Sequence, residues 1–138
     1  MKSFGSNVCL LISDSVKDRE VFGRALRDVS PETVYCVATN GQEALDMIME
    51  THLIPDIIFI ELNLPNMDAV EFLKRLKDQP LYKNIPVIVH TRWSEPCRHP
   101  EILKAGALAI YSKKYEYEGV FNILYLYSFQ EMALLHLN

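Results

Sequence analysis

The chain predicts an α/β domain built on a doubly wound parallel sheet, and three observations carry that expectation. Residues 8–12, 57–60 and 86–89 are short apolar runs without polar alternation, the pattern of strands buried on both faces. Between such runs the apolar spacing lengthens to that of helices. Strand and helix alternate five times, and helical crossovers between buried strands demand parallel pairing with helices on both faces. At 138 residues, 49% hydrophobic and 23% charged, the composition suits one domain (1–138) with one sizeable core and no separate effector domain.

Each element has its own local reason. Residues 8–12 make the first strand. Val21, Phe22, Ala25 and Leu26 form a stripe beside charged Lys17, Asp18, Arg19, Glu20 and Arg24, so 16–29 is a helix that Ser30-Pro31 ends. Residues 33–38, largely β-branched, aromatic or apolar, give the second strand. Asn40-Gly41 offers a helix start, Ala44, Leu45, Ile48 and Met49 supply its stripe, and Pro55 closes it. After strand 57–60, residues 67–77 read as helix, with Val70, Leu73 and Leu76 on one face and Lys74 and Lys77 on the solvated side. Past strand 86–89, Pro96 and Pro100 lie four apart. Proline inside a helix costs about 3 kcal/mol. The fourth helix is therefore expected to begin near Pro100, after a loop over 92–99, and to stop at Gly106. Residues 107–111 are the fifth strand and 119–137 the last helix. On that helix Val120, Leu124 and Tyr127 suit a core, while Ile123, Leu126 and Phe129 are left for another surface.

Composition excludes several functions. A net charge of −4 gives no basic field for nucleic acid or an anionic membrane. Cys9, Cys36 and Cys97 are an odd number without metal-ligand spacing, and the first two sit in apolar runs, so small buried hydrophobes in a reducing compartment are expected. Neither a signal peptide nor a membrane span is written in the chain, and the cytoplasm is the expected location. His52, His90, His99 and His136 are scattered and read as core or surface residues. Trp93 is either a partner anchor or a cover for the pocket. No GxxxxGK[ST] or GxGxxG phosphate loop occurs.

In an open parallel sheet the working crevice lies at the carboxyl ends of the strands. There the chain delivers Ser13-Asp14, Glu61-Leu62-Asn63, Thr91-Arg92 and Ser112-Lys113: two carboxylates, a hydroxyl and an ammonium on one rim. Through "CLLISDSVKDREVF", "ATNGQEAL", "PDIIFIELNLPNMDAVEFLKRLK", "IPVIVHT" and "AGALAIYSKK", the sequence resembles the receiver domains of bacterial two-component response regulators. The resemblance implies a flavodoxin-like (βα)5 topology with strand order 2-1-3-4-5. It also implies a phospho-acceptor at Glu61, metal ligands at Asp14, Glu61 and the Asn63 carbonyl, phosphate contacts from Thr91 and Lys113, and an aromatic switch near Ile110 or Tyr111. The intervals from Glu61 to Thr91 (30 residues) and to Lys113 (52 residues) suit that family.

The departures matter as much. Such domains carry aspartate where this chain has Glu61, and an acid where it has Ser13. Arg92 and Lys114 replace a small residue and a proline, Ile110 holds the switch position with Tyr111 one place later, and Ala69 stands for a glycine. Phosphoryl transfer depends on an in-line nucleophile and on Mg²⁺, and a misplacement of about 1 Å costs ~10²-fold in rate. Serine is a poor substitute for a carboxylate ligand to a hard cation. The leading expectation is therefore a stand-alone receiver-like module, not an enzyme, with no cofactor or only weakly held Mg²⁺. It would act by binding a protein, a histidine kinase or another receiver, with a homodimer through the last helix as one form. The alternative is a working receiver phosphorylated with Mg²⁺. A flavodoxin-like cofactor protein is a third reading, disfavoured by the missing phosphate loop.

Overall fold

The computed structural model describes residues 7–91, 96–112 and 116–127. Strands β1 (Val8–Ile12), β2 (Val34–Ala38), β3 (Ile57–Glu61), β4 (Val87–His90) and β5 (Ala109–Tyr111) form one sheet in the order β2-β1-β3-β4-β5, with every pair parallel. Helices α1 (Val16–Val29), α2 (Gly41–Glu50), α3 (Ala69–Lys77), α4 (His99–Lys104) and α5 (Tyr117–Leu126) supply the crossovers. The fold class is the one read from the sequence, and the strand order is the one the resemblance implies.

Side chains alternate across a strand, so each strand feeds two cores. Cys9, Leu11, Phe59 and Ile88 pack with Phe22, Ala25 and Leu26 of α1 and Val120 and Leu124 of α5. Leu10, Ile12, Ile58, Ile60, Val87 and Val89 pack on the opposite face with the apolar stripes of α2 and α3 and with Ile102 of α4. All five residues of the central β3 are buried, which explains its unbroken apolar run and makes the polar side chain at its end conspicuous.

Helix starts follow the capping residues. Ser15, Asn40 and Asp68 accept from the backbone N–H groups of Asp18, Glu43 and Glu71, three residues on. The Asp68 cap starts α3 two residues later than the periodicity suggests. Helix α2 ends at Glu50, well before Pro55, with His52 taking a left-handed φ of 56°. Gly106, at φ 116°, closes α4 as expected. That helix has six residues with Pro100 in its first turn, but a 3₁₀ turn at Pro96–Arg98 replaces part of the expected loop. Strand β5 begins at Ala109 rather than 107, and α5 begins at Tyr117, before Gly119. The expected continuation to 137, Phe129 included, lies outside the described residues, as do 92–95. Lys77 is not on the solvated side: it is half-buried, and its Nζ donates to the Ile85 carbonyl at 2.5 Å. Ile123 likewise packs partly against the α1–α5 core instead of standing clear of it.

Candidate functional site

The parallel register assembles a row of side chains along the carboxyl rim. Glu61 pairs with His90, and His90 with Tyr111. Paired residues share a face, and these lie two places beyond Phe59 and Ile88, so all three point toward α1 and α5. Ser13, two beyond Leu11, joins them from β1.

Ser13 is fully buried and its groups are engaged. Its N–H donates to the Ala38 carbonyl at 3.0 Å. Its hydroxyl donates to Glu61 Oε1 at 3.3 Å and accepts from the Ser15 N–H at 3.2 Å. Its carbonyl accepts from Arg19 Nη1 at 2.9 Å. Glu61 is 7% exposed. Burial pushes its carboxyl above the usual range, the Ser13 hydrogen bond pulls it back in part, and the charge of Asp14 pushes it up again.

Thr91 is buried at the end of β4, with its N–H donating to the Tyr111 carbonyl at 2.8 Å. Asp14 and Asn63 are exposed on the two flanking loops. The structure therefore brings Ser13 and Glu61 into contact, with Thr91, Asp14 and Asn63 at the carboxyl ends of the same strands. Lys113, Arg92, Lys114 and Trp93 lie outside the described residues. Among the described residues no group of three His, Cys, Asp or Glu side chains is arranged to hold a metal ion.

The two switch candidates divide between the faces. Ile110 packs against the α2–α4 core. Tyr111 lies tilted against the ring of His90, centroids 5.3 Å apart, and its hydroxyl would clash with a Cβ on residue 119, so Gly119 is what admits it. His90 is 1% exposed and stands next to Glu61; scattered in the sequence, it gave no hint of that, because only the register of β3 and β4 pairs them. The Arg19 guanidinium, read only as helix surface, proved to hold the Ser13 backbone.

A five-stranded parallel sheet in this order, with an acidic residue ending the central strand and a buried threonine just past the next, is the arrangement the receiver-like motifs imply. The response regulator receiver domain model matches residues 9–124, and the chain belongs to that family. It is 34% identical over 100 residues to the polar-differentiation response regulator DivK of Brucella ovis, covering 71% of this chain and 80% of that one. It is 32% identical over 84 residues to the sensor histidine kinase CheAY of Helicobacter pylori, covering 61% of this chain but only 10% of the kinase. Among solved structures, chemotaxis response regulator CheY4 of Vibrio cholerae superposes with a TM-score of 0.75 at 26% identity, over 86% of this chain and 96% of that one. The chain thus carries a receiver domain of two-component signalling.

Proposed function

We propose that this receiver domain works as a protein-binding module whose output does not depend on an aspartyl phosphate. One observation carries the reading: the buried Ser13 hydroxyl is spent on Glu61 Oε1 at 3.3 Å, at the place where a receiver sets a carboxylate for metal beside its nucleophile. Of the oxygens a hard divalent cation would take, Asp14, Glu61 and the Asn63 carbonyl remain, and the rim is one carboxylate short because Ser13 stands in its place. Ser13 is neutral and already bonded, and burial favours the protonated form of Glu61. The reading gives metal no part, and it makes the domain a non-enzyme. The longer Glu61 side chain also shifts the carboxylate from an aspartate's position, against in-line transfer.

A binding face is at hand. Leu103, Leu108, Tyr125 and Leu126 are 49%, 49%, 64% and 59% exposed on α4, the approach to β5, and α5. Ile110, Asn122, Ile123 and Leu126 line a shallow groove of about 460 Å³ there. A histidine kinase, another receiver or a second copy is the partner this apolar face suits. No helix among the described residues is long and apolar enough to cross a membrane, which accords with a cytoplasmic site of action.

The test is incubation with acetyl phosphate and Mg²⁺, followed by intact mass. No adduct is expected. A stable phosphoryl adduct that disappears in Glu61→Gln would overturn the proposal and establish a working receiver.

A further inference from the structure

The outer edge of β2 and the adjoining flank of α1 form a second surface, unrelated to the rim. Strand β2 pairs with β1 alone among the described residues. In a parallel ladder alternate residues turn both backbone groups to one side. The Val34 N–H and the Ala38 carbonyl bond toward β1, so the N–H and C=O groups of Tyr35 and Val37 face outward. Edge strands are ordinarily blunted by a lysine, a proline or a bulge. The sequence of β2, VYCVA, carries no charge and no proline.

Beside that edge lies a groove of about 720 Å³ between α1 and β2. Its floor includes the Tyr35 ring, held by a hydrogen bond from its hydroxyl to the Arg19 carbonyl at 2.7 Å and by stacking on Phe22 at 5.7 Å. Gly23 is what leaves room for that ring, since a Cβ there would lie 2.7 Å from Tyr35 Cε2. The rim carries Arg24 and Arg27 against one acid, Glu20, in a chain whose net charge is −4; Arg19 also lines it, but its guanidinium is engaged by the Ser13 carbonyl. Arg24 lies over the Tyr117 ring at 5.1 Å, which leaves its charge available, and Arg27 is exposed at the last turn of α1.

From this juxtaposition we infer that the β2 edge takes up an extended acidic segment of a partner protein as a sixth strand. Its backbone pairs with Tyr35 and Val37, and the acidic side chains on its α1 face meet the arginine rim. Tyr35 and Val37 point to that face too, because Val37 pairs with Leu11 of the α1–α5 core. Charge decides between occupants. Two copies joined edge to edge about a twofold axis would place both α1 helices on one face with their arginine rims opposed, whereas an acidic strand is attracted. The surface is independent of what Glu61 does, so it stands or falls apart from the proposed function.

The probe is a fluorescein-labelled ten-residue peptide alternating valine with glutamate, compared with one alternating valine with lysine. Anisotropy should show the acidic peptide binding at least tenfold tighter, with affinity falling as salt rises, and a further tenfold loss in Arg24→Glu/Arg27→Glu. Amide exchange on the wild type should show Tyr35 and Val37 protected on binding, and N-methylation of alternate peptide bonds should abolish both effects. Equal binding of the two peptides, or binding without protection at Tyr35 and Val37, would overturn the inference. So would no binding at all, or sedimentation showing wild-type dimers that disappear in the double variant.

Discussion

Replacing Ser13 by aspartate tests the electrostatics of the rim directly. The new carboxylate would stand beside Glu61 at about the present hydroxyl separation, 3.3 Å, in a position with no solvent exposure. Two unit charges at that distance repel by roughly 5 kcal/mol at an effective dielectric constant near 20. Protonating one of them relieves the repulsion and limits its cost to roughly 3.7 kcal/mol at pH 7, at 1.36 kcal/mol per unit above a reference near 4.3. Loss of the Ser13 hydrogen bond to a carboxylate adds about 1.5 kcal/mol. Ser13→Asp should therefore lose about 5 kcal/mol in EDTA at pH 7, a fall in Tm on the order of 10–20 °C for a chain of this size. The deficit should shrink toward pH 4.5 as protonation becomes free. Mg²⁺ at a hundred times its Kd should restore roughly 2.7 kcal/mol to the variant and little to the wild type. Thermal melts at both pH values, with EDTA and with Mg²⁺, provide the measurement. A variant as stable as the wild type in EDTA at pH 7 would refute the tight, low-polarity rim on which the reasoning rests.

Three further expectations follow from particular side chains. Because burial raises the Glu61 carboxyl, the folded protein holds its proton to higher pH than the unfolded chain, so stability is greatest below the unfolded value and declines as pH rises through the folded one. Glu61→Gln should flatten that part of the profile, and urea midpoints from pH 4 upward will show whether it does. Gly106→Ala places a Cβ at φ 116° and 3.1 Å from Lys77 Cγ, which should destabilise by about 1–3 kcal/mol in urea unfolding without moving the rim amides in NMR spectra. Ile123→Glu with Leu126→Lys should abolish any association seen by sedimentation at micromolar concentration; a wild type that stays monomeric and binds partners as well as the variant would discount the α5 face.

The sequence was most legible where burial is symmetrical. Apolar runs such as 57–60 admit one reading, and the α1 stripe placed that helix to the residue, because its Ser15 cap and Ser30 terminus sit at the ends of the periodic pattern. Boundaries slipped where a polar cap competed with periodicity. Asp68 captures the Glu71 N–H and shortens α3, although Met67 continues its apolar pattern. Lys77 looked solvated because charge says nothing about where a long stem ends; its ammonium reaches a backbone carbonyl across the α3–β4 connection. At the rim, residue types and spacings named Ser13, Asp14, Glu61 and Thr91. The hydroxyl-to-carboxylate bond and the His90 neighbour depend on strand register and side-chain direction, which no local pattern encodes.

The one-residue offset between Ile110 and Tyr111 has a consequence for how information passes through the molecule. A shift of one place along a strand puts a side chain on the other face of the sheet. The Tyr111 ring lies against His90 on the α1–α5 face with its hydroxyl in the space Gly119 leaves, and an aliphatic side chain holds the neighbouring place on the opposite face. On the proposed reading the pocket has no phosphorylated state to report, and the domain then offers its partner the same surface at all times. What can then vary is the number of copies present. On the proposed reading, a cell would transmit through this protein by synthesis and degradation, with abundance as the signal and a response time set by protein turnover rather than by the lifetime of a phosphate.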